Sequence, residues 1–164
     1  MTSDPYSSWS DDDLSSLAHG LRDDLYAGQV ALVTGGAGGI GRAICMLLSR
    51  LGAQVVTCGR DEANLKELQE SFARQDVEII AIPANVRDPE QVEALMRDTW
   101  SELGRLDLVV NNAGGQFAAP ASDISPKGWA AVLETNLYGP WFVMQAAARA
   151  WIEKGSGGSI VNIG

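Results

Sequence analysis

Five glycines within seven residues form the part of the chain with the clearest potential for chemistry. The stretch before them is short and apolar, and the stretch after them has the length and apolar content of a buried helix. A backbone without Cβ atoms can approach phosphate oxygens closely, and a helix start adds unpaired N–H groups and a positive dipole end. A strand, a glycine turn and a helix in this order are typical of a site for a dinucleotide's diphosphate. The glycines are Gly35, Gly36, Gly38, Gly39 and Gly41.

Two spacings overlap in this turn. The glycines at 36, 38 and 41 satisfy GxGxxG, and the segment from Thr34 to Gly41 also satisfies the narrower TGxxxGxG. A flexible turn that binds nothing would explain the first spacing alone. A second apolar strand near 54–58 completes a strand–helix–strand unit, and this context favours a dinucleotide site.

The size and charge of the chain limit the classes of function. Its 164 residues correspond to about one domain. The contents of 46% hydrophobic and 20% charged residues are globular values. The net charge of −9 argues against a nucleic-acid partner, because such a partner requires a basic face. Residues 1–28 hold six acids and one arginine, so much of the excess lies in this N-terminal arm, ahead of a domain at 29–164.

Cysteine and histidine usage predicts neither a disulfide nor a metal site. Cys45 and Cys58 lie in apolar runs, as is typical of buried thiols in a reducing compartment. His19 is the one histidine and cannot build a metal site alone. The first residues lack the basic and apolar regions of a signal peptide, and no apolar run is long enough to span a membrane. We therefore expect a cytoplasmic protein with no metal and no membrane partner.

Strands and helices alternate from residue 29 onward. Short apolar strands between helices are typical of a parallel sheet that is covered on both faces. The sequence therefore predicts an α/β fold, a Rossmann-type doubly wound parallel sheet of about five strands in the order 3-2-1-4-5. Strands are expected near 30–34, 54–58, 77–82, 106–110 and 159–163, and helices near 40–51, 62–75, 89–103 and 127–153.

Capping residues mark several helix starts. Asp88 before Pro89, and Ser125 before Pro126, each combine an N-cap residue with a proline at the first helical position. In the N-terminal arm, Ser10 can cap a short amphipathic helix with three aspartates in its first turn. The stripe of this helix is expected to continue to Leu25. We expect the arm to pack on the domain, and a disordered arm is the alternative.

The end of the second strand bears on the choice of dinucleotide. NAD sites usually place an acid there to bond the ribose 2′-hydroxyl, but this strand ends in Thr57 and Cys58 and is followed by Arg60. A guanidinium suits the 2′-phosphate of NADP, because it offers two donors at once. The pattern favours NADP(H) over NAD(H), with a solvated arginine as the alternative. Asp61 is expected to cap the next helix, and Arg42 could contact phosphate or be solvated.

Asparagine side chains occur at three further positions that could border a cofactor bound at the carboxyl ends of the strands. Asn85, before Val86 at the end of the third strand, could bond adenine or serve only as a polar turn residue. The segment 111–114, Asn-Asn-Ala-Gly, ends the fourth strand with small residues that let the chain pass close to a nicotinamide ribose, or it forms a structural turn. Asn136 lies inside a long helical pattern, four residues before Pro140. Because proline crowds the carbonyl four positions back, we expect a kink that frees the Asn136 carbonyl to hold a water, with a tolerated irregularity as the alternative.

These motifs occur in the order TGxxxGxG, Asn-Asn-Ala-Gly, helix Asn and fifth strand, which resembles the short-chain dehydrogenase/reductase family from about residue 28 onward. The resemblance implies that Asn136 joins a proton relay with a Ser, a Tyr and a Lys. It implies a diphosphate site and an inner ribose site. The diphosphate residues would be Gly35, Gly38, Gly39, Ile40 and Gly41, and the ribose residues Asn112, Ala113 and Gly114.

The other relay residues of that family have no counterpart here. The family's Ser follows the fifth strand, and no tyrosine in this sequence is followed four residues later by a lysine. The resemblance therefore implies the N-terminal, cofactor-binding part of an NADP(H)-dependent oxidoreductase, truncated on the C-terminal side of the sheet. A non-catalytic nucleotide-binding fragment is the alternative. An unrelated Rossmann-type binder, such as a methyltransferase, is disfavoured by the ordered asparagine motifs.

Two segments resemble one branch of the family. Residues 112–117 and 125–129 are similar to 2-enoyl-CoA and 2,4-dienoyl-CoA reductases and to bacterial acyclic-terpene alcohol dehydrogenases. This implies that Gln116 and Phe117 face a small-molecule substrate, which would be a carbonyl, an alcohol or an enoyl thioester. Helix 127–153 is apolar nearly all round and is a subunit interface in the family, which implies a homodimer or homotetramer.

Overall fold

Five parallel strands form one sheet in the computed structural model, which describes residues 9–164. Their order across the sheet is β3-β2-β1-β4-β5. The predicted fold class and strand order are therefore confirmed. The strands are β1 (Val30–Thr34), β2 (Gln54–Gly59), β3 (Ile80–Pro83), β4 (Leu108–Asn111) and β5 (Ser159–Asn162).

Helices cover both faces of this sheet. Alternate residues of β1 point to opposite sides, so this strand contributes to two separate cores. Val30 and Leu32 belong to a core with the helices at 89–103 and 139–154, whereas Ala31 and Val33 belong to a core with the helices at 39–50 and 62–73. The residues of β1 are all buried, as expected for the central strand of a doubly covered sheet. The helices are α1 (Asp11–Ser16), α2 (Gly39–Arg50), α3 (Glu62–Ala73), α4 (Pro89–Leu103), α5 (Pro126–Leu133) and α6 (Gly139–Lys154). A 3₁₀ turn lies at Ala121–Asp123 and a π-helical segment at Glu134–Tyr138.

The predicted helix caps are confirmed. The carboxylate of Asp88 accepts from the backbone N–H groups of Glu90 and Gln91, and the Ser125 hydroxyl accepts from Gly128. The two longest helices end in left-handed glycines, Gly104 with φ of 69° and Gly155 with φ of 63°. These signals are local, which is why the sequence predicts them well.

The arm helix is shorter than its leucine stripe predicts. Ser10 caps the helix as predicted and also forms a capping box with Asp13, but α1 ends at Ser16. The hydroxyls of Ser15 and Ser16 donate to the carbonyl of Asp12, at 3.0 and 2.8 Å, and such bonds compete with the helical backbone pattern. The chain then continues without helix or strand through residue 22 and forms turns at 23–28. The stripe therefore does not form one helical face, and its later members are exposed, namely Leu17, Leu21 and Leu25.

Candidate functional site

An open groove of about 1090 Å³ runs along the carboxyl ends of the strands. In an open α/β sheet, ligands bind at this edge where the strand order reverses, which here is between β1 and β4. Nine of the predicted cofactor residues line the groove. They are Gly35, Gly38, Ile40, Arg60, Asn85, Val86, Asn112, Ala113 and Gly114.

The glycine turn joins β1 to α2 and gives the groove its donors. Gly38 is the N-cap of α2 and offers no side-chain cap, so the first N–H groups of the helix keep no side-chain partner there. The space beside its Cα is open for 4 Å. An anion can therefore reach the positive end of the helix dipole.

The first two amides of the turn are committed inside the protein. Gly35, at φ of +72°, donates its N–H to the carbonyl of Cys58 at 2.8 Å. Gly36 donates to the hydroxyl of Thr57 at 3.0 Å, and that hydroxyl donates in turn to the Val33 carbonyl at 2.7 Å. Thr57 is fully buried. The amides left for an anion are those nearer the helix start, and Thr57 is a positioning residue that the sequence analysis missed.

Two glycines of the motif serve close packing. A Cβ at Gly41 would overlap the Gly35 carbonyl and the side-chain amide of Asn112. A Cβ at Gly36 would overlap the Thr57 hydroxyl and the Cys45 sulfur. Neither Gly41 nor Gly39 lines the groove. The spacing therefore reflects helix–strand packing as well as ligand access.

Asn112 ties the end of β4 to the end of β1. Its side-chain amide donates to the carbonyls of Thr34 and Gly35, at 3.0 and 3.2 Å. The buried hydroxyl of Thr34 accepts from the backbone N–H groups of Asn112 and Ala113, at 3.0 and 2.9 Å. This set of bonds fixes the groove wall at residues 112–114 beside the glycine turn. Thr34 belongs to the TGxxxGxG spacing, but nothing in that spacing indicates a role for its hydroxyl.

Asn136 is held in the π-helical segment, beside the rim of the groove. Its side chain makes a reciprocal pair with Gly115, accepting from the N–H at 2.9 Å and donating to the carbonyl at 2.6 Å. The predicted kink is a π segment, in which the Gly139 N–H donates to the Glu134 carbonyl. π segments often occur at functional sites. Asn136 itself does not line the groove, although its neighbour Thr135 does.

Arg60 and Asn85 line the groove where the chain leaves β2 and β3. Arg60 is exposed, and Asp61 beside it caps α3 by accepting from the Asn64 N–H at 3.1 Å, as predicted. The Asn85 side-chain oxygen accepts from the Arg87 N–H at 3.2 Å, which is a local turn contact. The guanidinium of Arg87 pairs with the carboxylate of Glu134 and so joins this loop to the π segment.

Arg42 points away from the groove. Its guanidinium contacts Asp11, Glu67 and the Ala37 carbonyl, and it is not among the groove-lining residues. The hydrogen bonds from Arg42 lower the pKa of the Asp11 carboxyl and raise the pKa of the arginine. The hypothesis of a phosphate contact from Arg42 is therefore replaced by an ion pair with the N-terminal arm.

The remaining candidate groups lie outside the groove or are chemically quiet. Gln116 and Phe117 are exposed beyond it, and the Phe117 ring packs over Gly128. Burial raises the pKa of the Cys45 and Cys58 thiols to about 12, so both stay protonated at neutral pH. Within residues 9–164, no three His, Cys, Asp or Glu side chains are placed to hold a metal ion. None of the helices in this range has the length and apolar content to cross a membrane.

Comparisons with known proteins agree with this geometry. The model of the short chain dehydrogenase family matches residues 29–164. The chain is 33% identical to a "Probable 2,4-dienoyl-CoA reductase" of Bacillus subtilis, over 82% of this chain and 53% of that protein. Its fold matches a citronellol catabolism dehydrogenase of Pseudomonas aeruginosa with a TM-score of 0.80, at 36% identity, over 87% of this chain and 58% of the other.

A metagenomic short-chain oxidoreductase solved in complex with NADP matches with a TM-score of 0.74, at 34% identity, over 84% of this chain and 62% of the other. The chain thus spans about half the length of the curated relatives it matches. The family model covers the whole sheet and the glycine turn. The chain belongs to the short chain dehydrogenase family, and within it resembles the dienoyl-CoA reductase branch.

Proposed function

We propose that these residues form the cofactor-binding half of an NADP(H)-dependent oxidoreductase. The carrying observation is the start of α2, which opens into the groove at an uncapped Gly38 with free space beside it. When bound, the nicotinamide would supply hydride transfer to or from a carbonyl, an alcohol or an enoyl thioester. The protein's part is to bind and orient the dinucleotide and to manage the proton.

The groove divides into three proposed regions. The turn at 35–41 would hold the diphosphate with amides near the helix start. The segment 112–114, fixed by the Thr34 hydroxyl, would lie along the inner ribose. Arg60, Asn85 and Val86 would hold the adenosine end, where all three line the groove. The open space beside Gly38 supports the fit of a diphosphate, because a side chain at that position would fill it.

The preference for NADP(H) depends on Arg60. The Arg60 guanidinium is exposed at the groove, whereas the nearest acid, Asp61, spends a carboxylate oxygen on capping α3. We expect NADPH to raise the melting temperature more than NADH at equal concentration. Arg60→Gln should lower the affinity for NADPH by about tenfold, the scale of one charged hydrogen bond, and should leave the affinity for NADH unchanged. Arg97→Gln on α4, another exposed arginine, is the matched control. A larger shift with NADH, or an unchanged NADPH affinity in Arg60→Gln, would remove this role.

Proton transfer is the part that these residues do not complete. Asn136 would hold a relay water at its carbonyl, while its side chain braces Gly115. Gln116 and Phe117 would then border the substrate. No tyrosine here precedes a lysine by four residues, and this favours the alternative function, in which the chain alone binds nucleotide without turnover.

We also propose that the intact protein is a cytoplasmic homodimer or homotetramer. The support for an oligomer is a set of large apolar side chains within residues 127–153 that face solvent. They are Trp129, Leu137, Tyr138, Trp141 and Ile152.

A further inference from the structure

The N-terminal arm reaches the glycine turn through one arginine. The five N–H donors of Arg42 all have acceptors. Nε and Nη2 donate to the two Asp11 oxygens at 2.7 Å each, and both terminal nitrogens donate to Glu67 at 3.0 and 3.2 Å. The remaining donor, on Nη1, bonds the Ala37 carbonyl at 3.3 Å. Arg42 is therefore a cross-link between the arm and the turn.

The pair formed by Asp11 and Arg42 is well shielded. The Asp11 side chain is 7% exposed and that of Arg42 17%. The Ser71 hydroxyl donates to the same carboxylate, and the guanidinium lies over the Phe72 ring at 5.8 Å. Bidentate pairs of this kind fix the plane of the guanidinium as well as its position.

Contacts that do not involve Asp11 also hold the arm against the domain. Arg50 donates to the carbonyls of Leu14 and Leu17, at 2.8 Å each. The Ser15 hydroxyl donates to the side chain of Gln75 at 2.8 Å. The arm thus has its own anchors on α2 and on the end of α3. These anchors fix the backbone around Asp11, and so they fix the position from which its carboxylate binds Arg42.

The restraint matters because the turn at this point is built mainly from glycines, which do not limit backbone rotation as other residues do. Ala37 lies between two glycines, and the space beside the next residue, Gly38, is empty for 4 Å. A carbonyl that is bonded to Arg42 cannot turn toward an anion at the helix start, where its partial negative charge would repel phosphate oxygens. The Ala37 carbonyl is held from behind the groove, by a residue that does not line it.

We propose that Asp11 is a positioning residue for the diphosphate site: by fixing Arg42, it holds the Ala37 carbonyl and orders the glycine turn. The inference rests on the proposed function, since the diphosphate belongs to the dinucleotide. It assigns a binding role to a segment that lies before residues 29–164, the range that the family model matches. Arg42 supports the phosphate site from outside and does not contact phosphate.

The test compares Asp11→Asn with Asp23→Asn in the 164-residue chain. The control removes the same charge from the same arm at a side chain that is 91% exposed. Affinity is measured for NADPH and for adenosine 2′-monophosphate, which has the adenosine end without the diphosphate. Amide hydrogen exchange at 36–41 is followed in the free protein, and the melting temperature checks folding.

We expect Asp11→Asn to weaken NADPH by about tenfold, within the usual range for coupled sites. Binding of adenosine 2′-monophosphate should be unchanged, and exchange at 36–41 should become faster. Arg42→Lys, which keeps the charge and loses the planar fork, should behave like Asp11→Asn. The control should match the unaltered chain.

Unchanged NADPH affinity and exchange in a folded Asp11→Asn protein would overturn the proposal. Tighter NADPH binding would also overturn it, because Arg42 would then be a phosphate ligand withheld by the arm. An equal loss for both ligands would indicate general loosening and would count against it as well. If the unaltered chain binds neither ligand, the proposed function fails, while the exchange comparison still decides whether Asp11 orders the turn.

Discussion

The glycine turn and the β4–β5 edge both lie at the carboxyl ends of parallel strands, yet they differ in how completely their polar and apolar groups have partners. Around the turn, Gly35 and Gly36 donate into β2, and Arg42 has an acceptor for each donor. Along β5, three of four residues are exposed, and Val161 keeps 44% of its surface in solvent. The buried Asn111 Oδ1 has no hydrogen-bond partner within the part of the chain that the structure describes.

This difference separates binding from chemistry. A binding site works when its donors are held by packing and by supporting hydrogen bonds, and the turn has both. The proton relay would need groups near Asn136. That is the β4–β5 side, where β5 exposes apolar surface and the buried Asn111 Oδ1 has no hydrogen-bond partner among the described residues. We therefore expect the two sides to respond very differently to the same kinds of test.

The largest expected difference is between binding and turnover. The purified 164-residue chain should bind NADPH and yet consume none of it with an enoyl thioester or a ketone, because its residues include no Tyr-x-x-x-Lys pair. NADPH absorbance over time measures this. Steady turnover that disappears in a Gly41→Ala variant would contradict the separation, since a contaminating enzyme would not respond to that change.

A methyl group at Gly41 should test how tightly the turn side is packed. The added Cβ would overlap the Gly35 carbonyl and the Asn112 side chain, so we expect Gly41→Ala to cost about 3 kcal/mol of unfolding free energy. NADPH binding should be lost with it. Urea unfolding followed by circular dichroism measures the stability.

Gly38→Ala is the control for that experiment. Its Cβ meets nothing within 4 Å, so stability should fall by less than about 1 kcal/mol, the cost of a poorer N-cap. NADPH affinity should still drop, because the methyl group would occupy space proposed for the diphosphate. Equal destabilisation by the two variants would show that the turn is not packed as tightly as its contacts indicate.

The sequence predicted the parts of the fold that are set locally. The doubly wound parallel sheet follows from the alternation of strands and helices, and the caps at Asp88 and Ser125 follow from residue types at fixed offsets. The leucine stripe of the arm is also a local pattern, and it predicted a longer helix than α1 because contacts with the rest of the chain are not part of such a pattern. The pattern carries no information on the Ser15 and Ser16 hydroxyls, which bond the Asp12 carbonyl, or on Arg50, which bonds the Leu14 and Leu17 carbonyls.

The candidate site was predictable only at the level of motifs. Glycine and asparagine spacings located the groove, but the groups that hold them come from distant positions. Thr57 lies 21 residues from Gly36, and Asp11 lies 31 residues from Arg42. A buried threonine in a β-branched strand and an aspartate in an acidic arm give no signal of such contacts. They become visible only once the chain is folded.

Asn136→Ala should have the smallest effect on NADPH affinity, because this side chain is exposed and does not line the groove. The change removes both hydrogen bonds to Gly115, and we expect a loss of about 1 kcal/mol of unfolding free energy. Amide exchange at 113–117 should become faster, while NADPH affinity changes little. Leu137→Ala, a neighbour that is 57% exposed in the same π segment, is the control and should leave exchange at 113–117 unchanged. If Asn136→Ala instead costs as much stability as Gly41→Ala, the β4–β5 side is as tightly constrained as the turn, and the contrast between them fails.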